Sequence, residues 1–365
     1  MAIALIGMVM MFQAMAVWDA RKRTTSAGTD AQITGSIAMF SLQRDMMMGG
    51  YGFGNAKAMG CTVEAYDATR ASPGTFSFTL APILITQGTG GVPDTLTVLY
   101  GSGPTMSSAQ TFYGLNSGSI MATLTRTGMR AGDLVVAADA GGTLCGLFEV
   151  TASDDPDYVS VAFATGPYTN YENNQNVPAT TSLTGTELAR LQTKFHNNTG
   201  SARYNDGTVR GVGASGAAFN LGTAPAANVW AITNRRFLTV SNTLANQATA
   251  TEVAEGIVSL QAEYGIDSNN DGVVGAGEWT ATTPANAATW RLVRAVRVAL
   301  LARSQQYEAT VVTATAPSWA GGAFTMTDLN GNPAANDDTP NDWRHYRYRV
   351  YEAVVPLRNM LWGVE

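Results

Sequence analysis

The sequence predicts an α+β chain: a long N-terminal helix over residues 1–48, then a mainly antiparallel β body over residues 49–365 with room for two sub-lobes. Three observations predict it. Residues 1–48 contain no proline, and an uncharged apolar run there passes into a stripe at helical spacing. Gly49, Gly50, Gly52 and Gly54 then break the helix. Beyond them, β-branched and aromatic runs recur between clusters of Gly, Pro, Asp and Ser.

The helix has two parts. Met1–Trp18 carries no charge, and Gln13 is its one strongly polar side chain. At 1.5 Å per residue the run spans about 27 Å, close to a hydrocarbon core. Asp19, Arg21, Lys22 and Arg23 follow at once. A cleavable secretory signal would need a basic leader before the run and a small-residue cleavage site after it, and neither is evident. In the second part, Ile33, Ile37, Phe40, Arg44 and Met47 fall on one face, at i, i+4, i+7, i+11 and i+14. Asp30, Gln32, Gln43 and Asp45 lie elsewhere on the surface. The rival reading is an anchor joined to a separate short helix, with the break at Gly28 after Thr24, Thr25 and Ser26.

In the body, residues 75–86, 95–100, 133–137, 147–152 and 158–163 read as strands. Residues 165–185 read as a long loop, and residues 200–228 are small, polar and rich in glycine. Residues 237–240 and 257–263 are further strands. Residues 290–303 fit helix or strand, and the alternation of Val296, Val298 and Leu300 with Arg297 and Ala299 selects strand. Residues 344–355 alternate in the same way, with Arg344, Tyr346, Tyr348 and Val350 on one side. The three tyrosines Tyr346, Tyr348 and Tyr351 fit sheet packing better than a ligand platform.

Composition removes several functions. Among 365 residues, 45% are hydrophobic and 14% charged, which argues against a solvated disordered chain. A net charge of −6 with three lysines gives no footprint for nucleic acid. The two histidines, His196 and His345, leave little room for His-rich metal sites or a Ser-His-Asp triad. Cys61 and Cys145 fit one disulfide in an oxidising compartment, or two free thiols in a reducing one.

One local pattern carries chemistry. Residues 267–278, DSNNDGVVGAGE, fit a twelve-residue calcium loop. Asp267, Asn269 and Asp271 take its first, third and fifth positions, Gly272 the sharp turn, the Val273 carbonyl the seventh and Glu278 the closing carboxylate. Alternate side chains of so tight a loop converge on one hard cation. The competing reading is a solvated Asn/Asp/Gly turn. The flanks read as strands, so a bound Ca2+ would stiffen a connection and open no helix pair. Weaker patterns are set aside. Residues 211–216 match GxGxxG without a following helical period. Asp154, Asp155 and Asp157, and likewise Asp337, Asp338 and Asp342, read as solvated turns, and His196 as a loop residue.

The order of these features resembles a family. A single N-terminal apolar helix, a Gly-rich exit and a β body look like a type IV pilin or pseudopilin, most similar to the PilW-like minor pilins. The resemblance lies in Leu42-Gln43-Arg44-Asp45 before Gly49-Gly50-Tyr51-Gly52, in Asp94–Val98, and in Gly132–Val136 with Cys145 and Phe148–Thr151. It continues through Gly256–Gln261, Tyr264–Asp267, Asp271-Gly272, Trp290, Val293–Val298 and Leu357-Arg358-Asn359. Ala2–Gly7 resemble the residues that follow the family's processing glutamate, so the chain is expected to start a few residues late, and no residue is assigned to processing.

The resemblance implies a structural subunit, no enzyme, of an extracellular bacterial filament. It would be held in the inner membrane before assembly and bundled with other pilin subunits through Ile3, Leu5, Ile6, Val9, Phe12, Val17, Ile33, Ile37 and Phe40. Within the class, a main filament subunit or a type II secretion pseudopilin is the alternative. A membrane-anchored surface enzyme or carbohydrate-binding module is the alternative outside it. Cys61 then lies just past the helix exit and Cys145 in a central strand, and a bond between them is expected to tie the two together.

Overall fold

A computed structural model describes residues 2–53, 58–103, 109–116, 120–123, 128–130, 132–151, 160–163, 202–208 and 215–361. The α+β expectation is corrected. Among the described residues the chain is mostly β, with nineteen strands and one helix of seven or more residues. That helix, α1 (Ala2–Met46), does not stand apart as a separate spine layer. Its C-terminal part lies in the β body, where Ala38, Met39, Leu42 and Met46 join the main buried cluster.

The strands follow in chain order. They are β1 (Thr62–Tyr66), β2 (Thr75–Thr79), β3 (Ile83–Thr86), β4 (Thr95–Tyr100), β5 (Gln110–Asn116), β6 (Ile120–Thr123) and β7 (Leu134–Asp139). Next come β8 (Leu144–Glu149), β9 (Ser160–Ala162), β10 (Ser215–Gly222), β11 (Ala226–Thr233), β12 (Phe237–Asn242), β13 (Thr251–Glu255) and β14 (Ile257–Ile266). The last are β15 (Trp279–Thr280), β16 (Val293–Arg303), β17 (Ser318–Trp319), β18 (Gly322–Ala323) and β19 (Tyr348–Pro356). Short helices α2 (Ala287–Trp290) and α3 (Arg358–Leu361) flank β16 and close the described chain.

Three sheets share the core. The first is ordered β2-β1-β8-β7-β10-β5-β6-β9, the second β13-β12-β11-β4-β3 and the third β15-β14-β16-β19. A two-stranded β17-β18 ribbon stands beside them. Among the described residues every pairing is antiparallel except β1 with β8, which runs parallel and sets Val63 against Cys145. The main cluster takes Val63, Leu134 and Val136 from the first sheet, and Ile83, Leu96, Val98 and Trp230 from the second. Leu260, Tyr264, Val296 and Val298 come from the third. Each such side chain contributes about 1.5–3 kcal/mol by leaving water. Strand β16 is buried almost throughout because β14 and β19 flank it and α1 covers it.

Polar groups fix how the layers meet. Asp94, nearly fully buried, accepts from the Gly88 amide and from the Ala262 amide of β14, both at 2.9 Å. Burial nonetheless pushes its pKa up. The Tyr264 hydroxyl accepts from the Ile85 amide at 2.6 Å, its ring meets Trp290 edge-on, and burial raises its pKa to about 12. Elsewhere Arg203 holds Asp67 by two hydrogen bonds, Nε to Oδ1 at 2.7 Å and Nη2 to Oδ2 at 2.8 Å. Burial alone would raise the Asp67 carboxyl, but the bonds from Arg203 and Thr69 outweigh it and leave the pKa lowered.

Several strands differ from their sequence reading. Residues 75–86 divide into β2 and β3 around Leu80, Ala81 and Pro82. The small, polar stretch 200–228 contains β10 and the start of β11. Residues 343–345 form a 3-10 turn, not the start of a strand, because the Asp342 side chain accepts the Arg344 amide at its N-terminus. The loop reading for 165–185 lies outside the described residues.

Candidate functional site

The C-terminal part of α1 presents two faces of different use. Gly35, Ala38, Met39, Leu42 and Met46 are buried, at helical spacing, against β16, β19 and β13. The small Gly35 and Ala38 let the helix sit close. At Gly35 the ring of Tyr351 occupies the place a Cβ would take, and the Tyr351 hydroxyl donates to the Gln32 carbonyl at 2.9 Å. The other face is the stripe that stands out in the sequence. Ile33, Ile37 and Phe40 are 55%, 53% and 67% exposed, and Met47 and Met48 continue that exposed surface. The apolar stripe therefore points away from the body. Further up, Phe12 is 68% exposed, and Met8, Met10, Met11, Met15 and Trp18 are exposed as well. The side chains of Ile3, Leu5, Ile6, Val9 and Val17 lie outside the described residues. Among the described residues no helix is long and apolar enough to cross a membrane.

A carboxylate that composition gave no reason to single out latches the helix. Asp45 accepts from Trp230 Nε1 at 2.6 Å, Asn228 Nδ2 at 2.9 Å and the Tyr100 hydroxyl at 2.9 Å. Three donors from β4 and β11 thus converge on one helix side chain. Burial first, and then the adjacent Asp45 charge, push the Tyr100 hydroxyl far above its ordinary pKa. Past the helix end, Asn359 Nδ2 reaches the carbonyls of Met48 at 3.2 Å and Gly49 at 3.1 Å. The Gly50 amide donates to Leu99.

Cys61 and Cys145 are joined, their Cα atoms 6.2 Å apart, next to the parallel β1–β8 pair.

The loop 267–278 runs from β14 to β15, and a 3-10 turn, Ala276–Glu278, precedes β15. Positive φ at Asn270 (57°) and Gly272 (85°) curls it. Asp267, fully buried, accepts from the Asp271 amide at 3.1 Å and the Gly272 amide at 3.2 Å. Arg294 Nε also lies 3.2 Å from it. Asn269 Nδ2 donates to Asp271 Oδ2 at 3.0 Å, and the Val273 amide donates to Asp271 Oδ1 at 2.8 Å. Glu278 folds back over the turn. Its Oε1 accepts from the Ser268 amide at 2.9 Å and its Oε2 from the Gly275 amide at 2.8 Å. These bonds, led by the one from Gly275, hold its pKa below the usual carboxylate range. The loop thus gathers three carboxylates and one side-chain amide. That donor set suits a hard cation.

Asp337, Asp338 and Asp342 do not form one solvated turn. Asp342 is fully buried and paired with Arg344, with Nη2 to Oδ2 at 2.7 Å. Residues 211–214, His196 and Asp154, Asp155 and Asp157 lie outside the described residues. A cleft of about 430 Å³ opens beside β7 and β10. Its charged lining residues are Asp139 and Arg291. Asp139 accepts the Thr143 amide at 2.8 Å and the Leu144 amide at 2.9 Å, so it is engaged in a turn.

Residues 224–359, from β11 into α3, match the family model described as type IV pilus-assembly protein W. No curated protein and no solved structure matches the chain. The matched stretch contains the calcium-loop pattern and the strands β16 and β19 on which α1 rests. It bears out the resemblance drawn from the sequence: over residues 224–359 the chain is similar to the PilW family of type IV pilus assembly.

Proposed function

We propose that this chain is a structural subunit of an extracellular bacterial type IV pilus-like filament, acting in assembly as a PilW-like minor pilin. Residues 1–48 contact other pilin subunits, and residues 49–365 form the outward body. One observation carries the reading. The α1 face bearing Ile33, Ile37 and Phe40 stays in solvent although the opposite face is already docked. A surface of that kind marks an interaction site. Covering three half-exposed apolar side chains contributes about 3 kcal/mol per contact, and a bundle repeats the contact along its length. The uncharged run Met1–Trp18 supports insertion in the inner membrane before assembly. The PilW match supports a minor pilin over a main subunit or a type II secretion pseudopilin.

Calcium belongs to the same reading. Held by Asp267, Asn269, Asp271, the Val273 carbonyl and Glu278, Ca2+ would be a static strut between β14 and β15. Its support is the donor set gathered by one curled loop.

The test uses Phe40→Asp and Val9→Asp in piliated cells. The expected outcome is a normal cellular level and an unchanged melt of the purified chain in detergent, with loss of the subunit from the sheared filament fraction. Incorporation of Phe40→Asp at the wild-type level would refute the assembly face.

A further inference from the structure

We propose that Asp338, Asp342 and His345 form a zinc site in the long connection between β16 and β19. One atom from each of these side chains lies within 4.8 Å of the other two.

The histidine points to a ligand. His345 is 2% exposed, and Tyr307 stacks on its ring with centroids 5.1 Å apart. Its Nδ1 sits 2.6 Å from the Glu308 carbonyl. A carbonyl only accepts, so Nδ1 carries the hydrogen. The other nitrogen, Nε2, is buried and has no hydrogen-bond partner. It faces Asp338 Oδ1 at 3.5 Å. In the neutral ring that places a lone pair against a carboxylate oxygen, a contact that either a bound cation or a second ring proton would relieve. A metal-bound histidine is oriented in this way, with its second N–H given to a backbone carbonyl.

The spacing fits the ion. Zinc bonds of about 2.1 Å in a tetrahedron put neighbouring ligand atoms about 3.4 Å apart, close to the separation of Nε2 and Oδ1. One imidazole with two carboxylates is a borderline donor set that suits zinc. The fourth position would fall to water, reached past Asp338, whose side chain is 70% exposed.

Arg344 also holds both carboxylates. Its Nη2 lies 2.8 Å from Asp338 Oδ1 and 2.7 Å from Asp342 Oδ2, and its Nε 3.0 Å from Asp342 Oδ2. With a neutral imidazole, two carboxylates and one guanidinium leave a net negative charge. With the ion bound, Arg344 would act as a partner beyond the ligands and orient both carboxylates. The ion would pin the stretch around Asp338 to the 3-10 turn that leads into β19.

The experiment uses the full chain in detergent, stripped with chelator and titrated with zinc chloride against a chromophoric zinc chelator. Wild type is expected to take one equivalent and to melt higher with zinc. Asp338→Ala, exposed but at a positive φ of 56°, should lower the zinc-free melt only slightly and weaken zinc binding about tenfold or more. His345→Gln should abolish binding. Glu278→Gln, in the calcium loop, should leave zinc binding unchanged. The proposal is overturned if wild type takes no zinc, which would leave a protonated His345 donating to Asp338. It is also overturned if Asp338→Ala binds as tightly as wild type, or if zinc binding is lost with Glu278→Gln.

Discussion

Replacing Asp45 by alanine should loosen the helix from the body, and the structure sets the size of the effect. The carboxylate accepts from Trp230 Nε1, Asn228 Nδ2 and the Tyr100 hydroxyl. A hydrogen bond to a charged group is worth about 1.5–3 kcal/mol. The three do not add. Asn228 Nδ2 also donates to the Tyr100 hydroxyl at 3.1 Å, so those two keep a partner in each other. Trp230 loses its acceptor while its side chain stays buried. The net loss is then about 3 kcal/mol, one orphaned buried donor and one weakened pair. For a chain of this size that lowers the melting temperature by about 4 °C. Asp45→Asn keeps an acceptor for the indole and should cost about 1 kcal/mol. Phe40→Ala, on the exposed face of the same helix, should stay within about 0.5 kcal/mol of wild type. Thermal unfolding of the full chain in detergent, followed by tryptophan fluorescence and near-ultraviolet circular dichroism, measures all three. If Asp45→Ala melts within about 1 °C of wild type, apolar packing of Ala38, Leu42 and Met46 alone holds the helix, and the latch reasoning is wrong.

Three more outcomes are expected. Cys61→Ala with Cys145→Ala should destabilise the body by about 4 kcal/mol, since the bond closes a long loop in the unfolded chain; a denaturant midpoint beside wild type checks it. If calcium occupies the 267–278 loop, chelator should lower the wild-type melt and leave Asp271→Ala unmoved, and identical wild-type melts with and without chelator would remove the metal. Asp67, Asp342 and Glu278 have lowered folded pKa values, so each stabilises above its unfolded pKa and loses that contribution as pH falls through the folded one. Stability should therefore drop below about pH 4, and Asp67→Asn should flatten that drop in a pH series of urea midpoints.

Much of the layout was legible because it depends on local pattern. The helix ends at Met46, just before the glycine cluster, and Thr95–Tyr100 is a strand over the residues that alternation marked. The choice of strand for residues 290–303 agrees with β16 from Val293 on, while Trp290 ends the short helix α2. What was not legible depends on contacts. A stripe of large apolar residues looks like a core face, yet here the docked face is the one with Gly35 and Ala38, whose value lies in letting Tyr351 approach. The strands β10 and β11 begin in glycine- and alanine-rich sequence that carries weak strand preference, and the sheets on either side supply their order. The latch at Asp45 and the buried carboxylate of Asp342 join residues far apart in sequence or capped by their own turn, and spacing marks neither.

The Cys61–Cys145 bond also bears on how the chain carries force. Tension along α1 would be shared with the body from Gln32 onward, through Tyr351 and the Asp45 latch, and what passes Gly49 reaches Cys61 twelve residues later. There it divides. Part continues into β1, and part crosses the sulfurs into β8, in the interior of the eight-stranded sheet. Pulling β1 against its parallel neighbour loads their shared hydrogen bonds in shear, so they resist together and do not open one after another. The covalent link also prevents the residues between the two cysteines from paying out as slack, so the body stretches little before its sheet gives way.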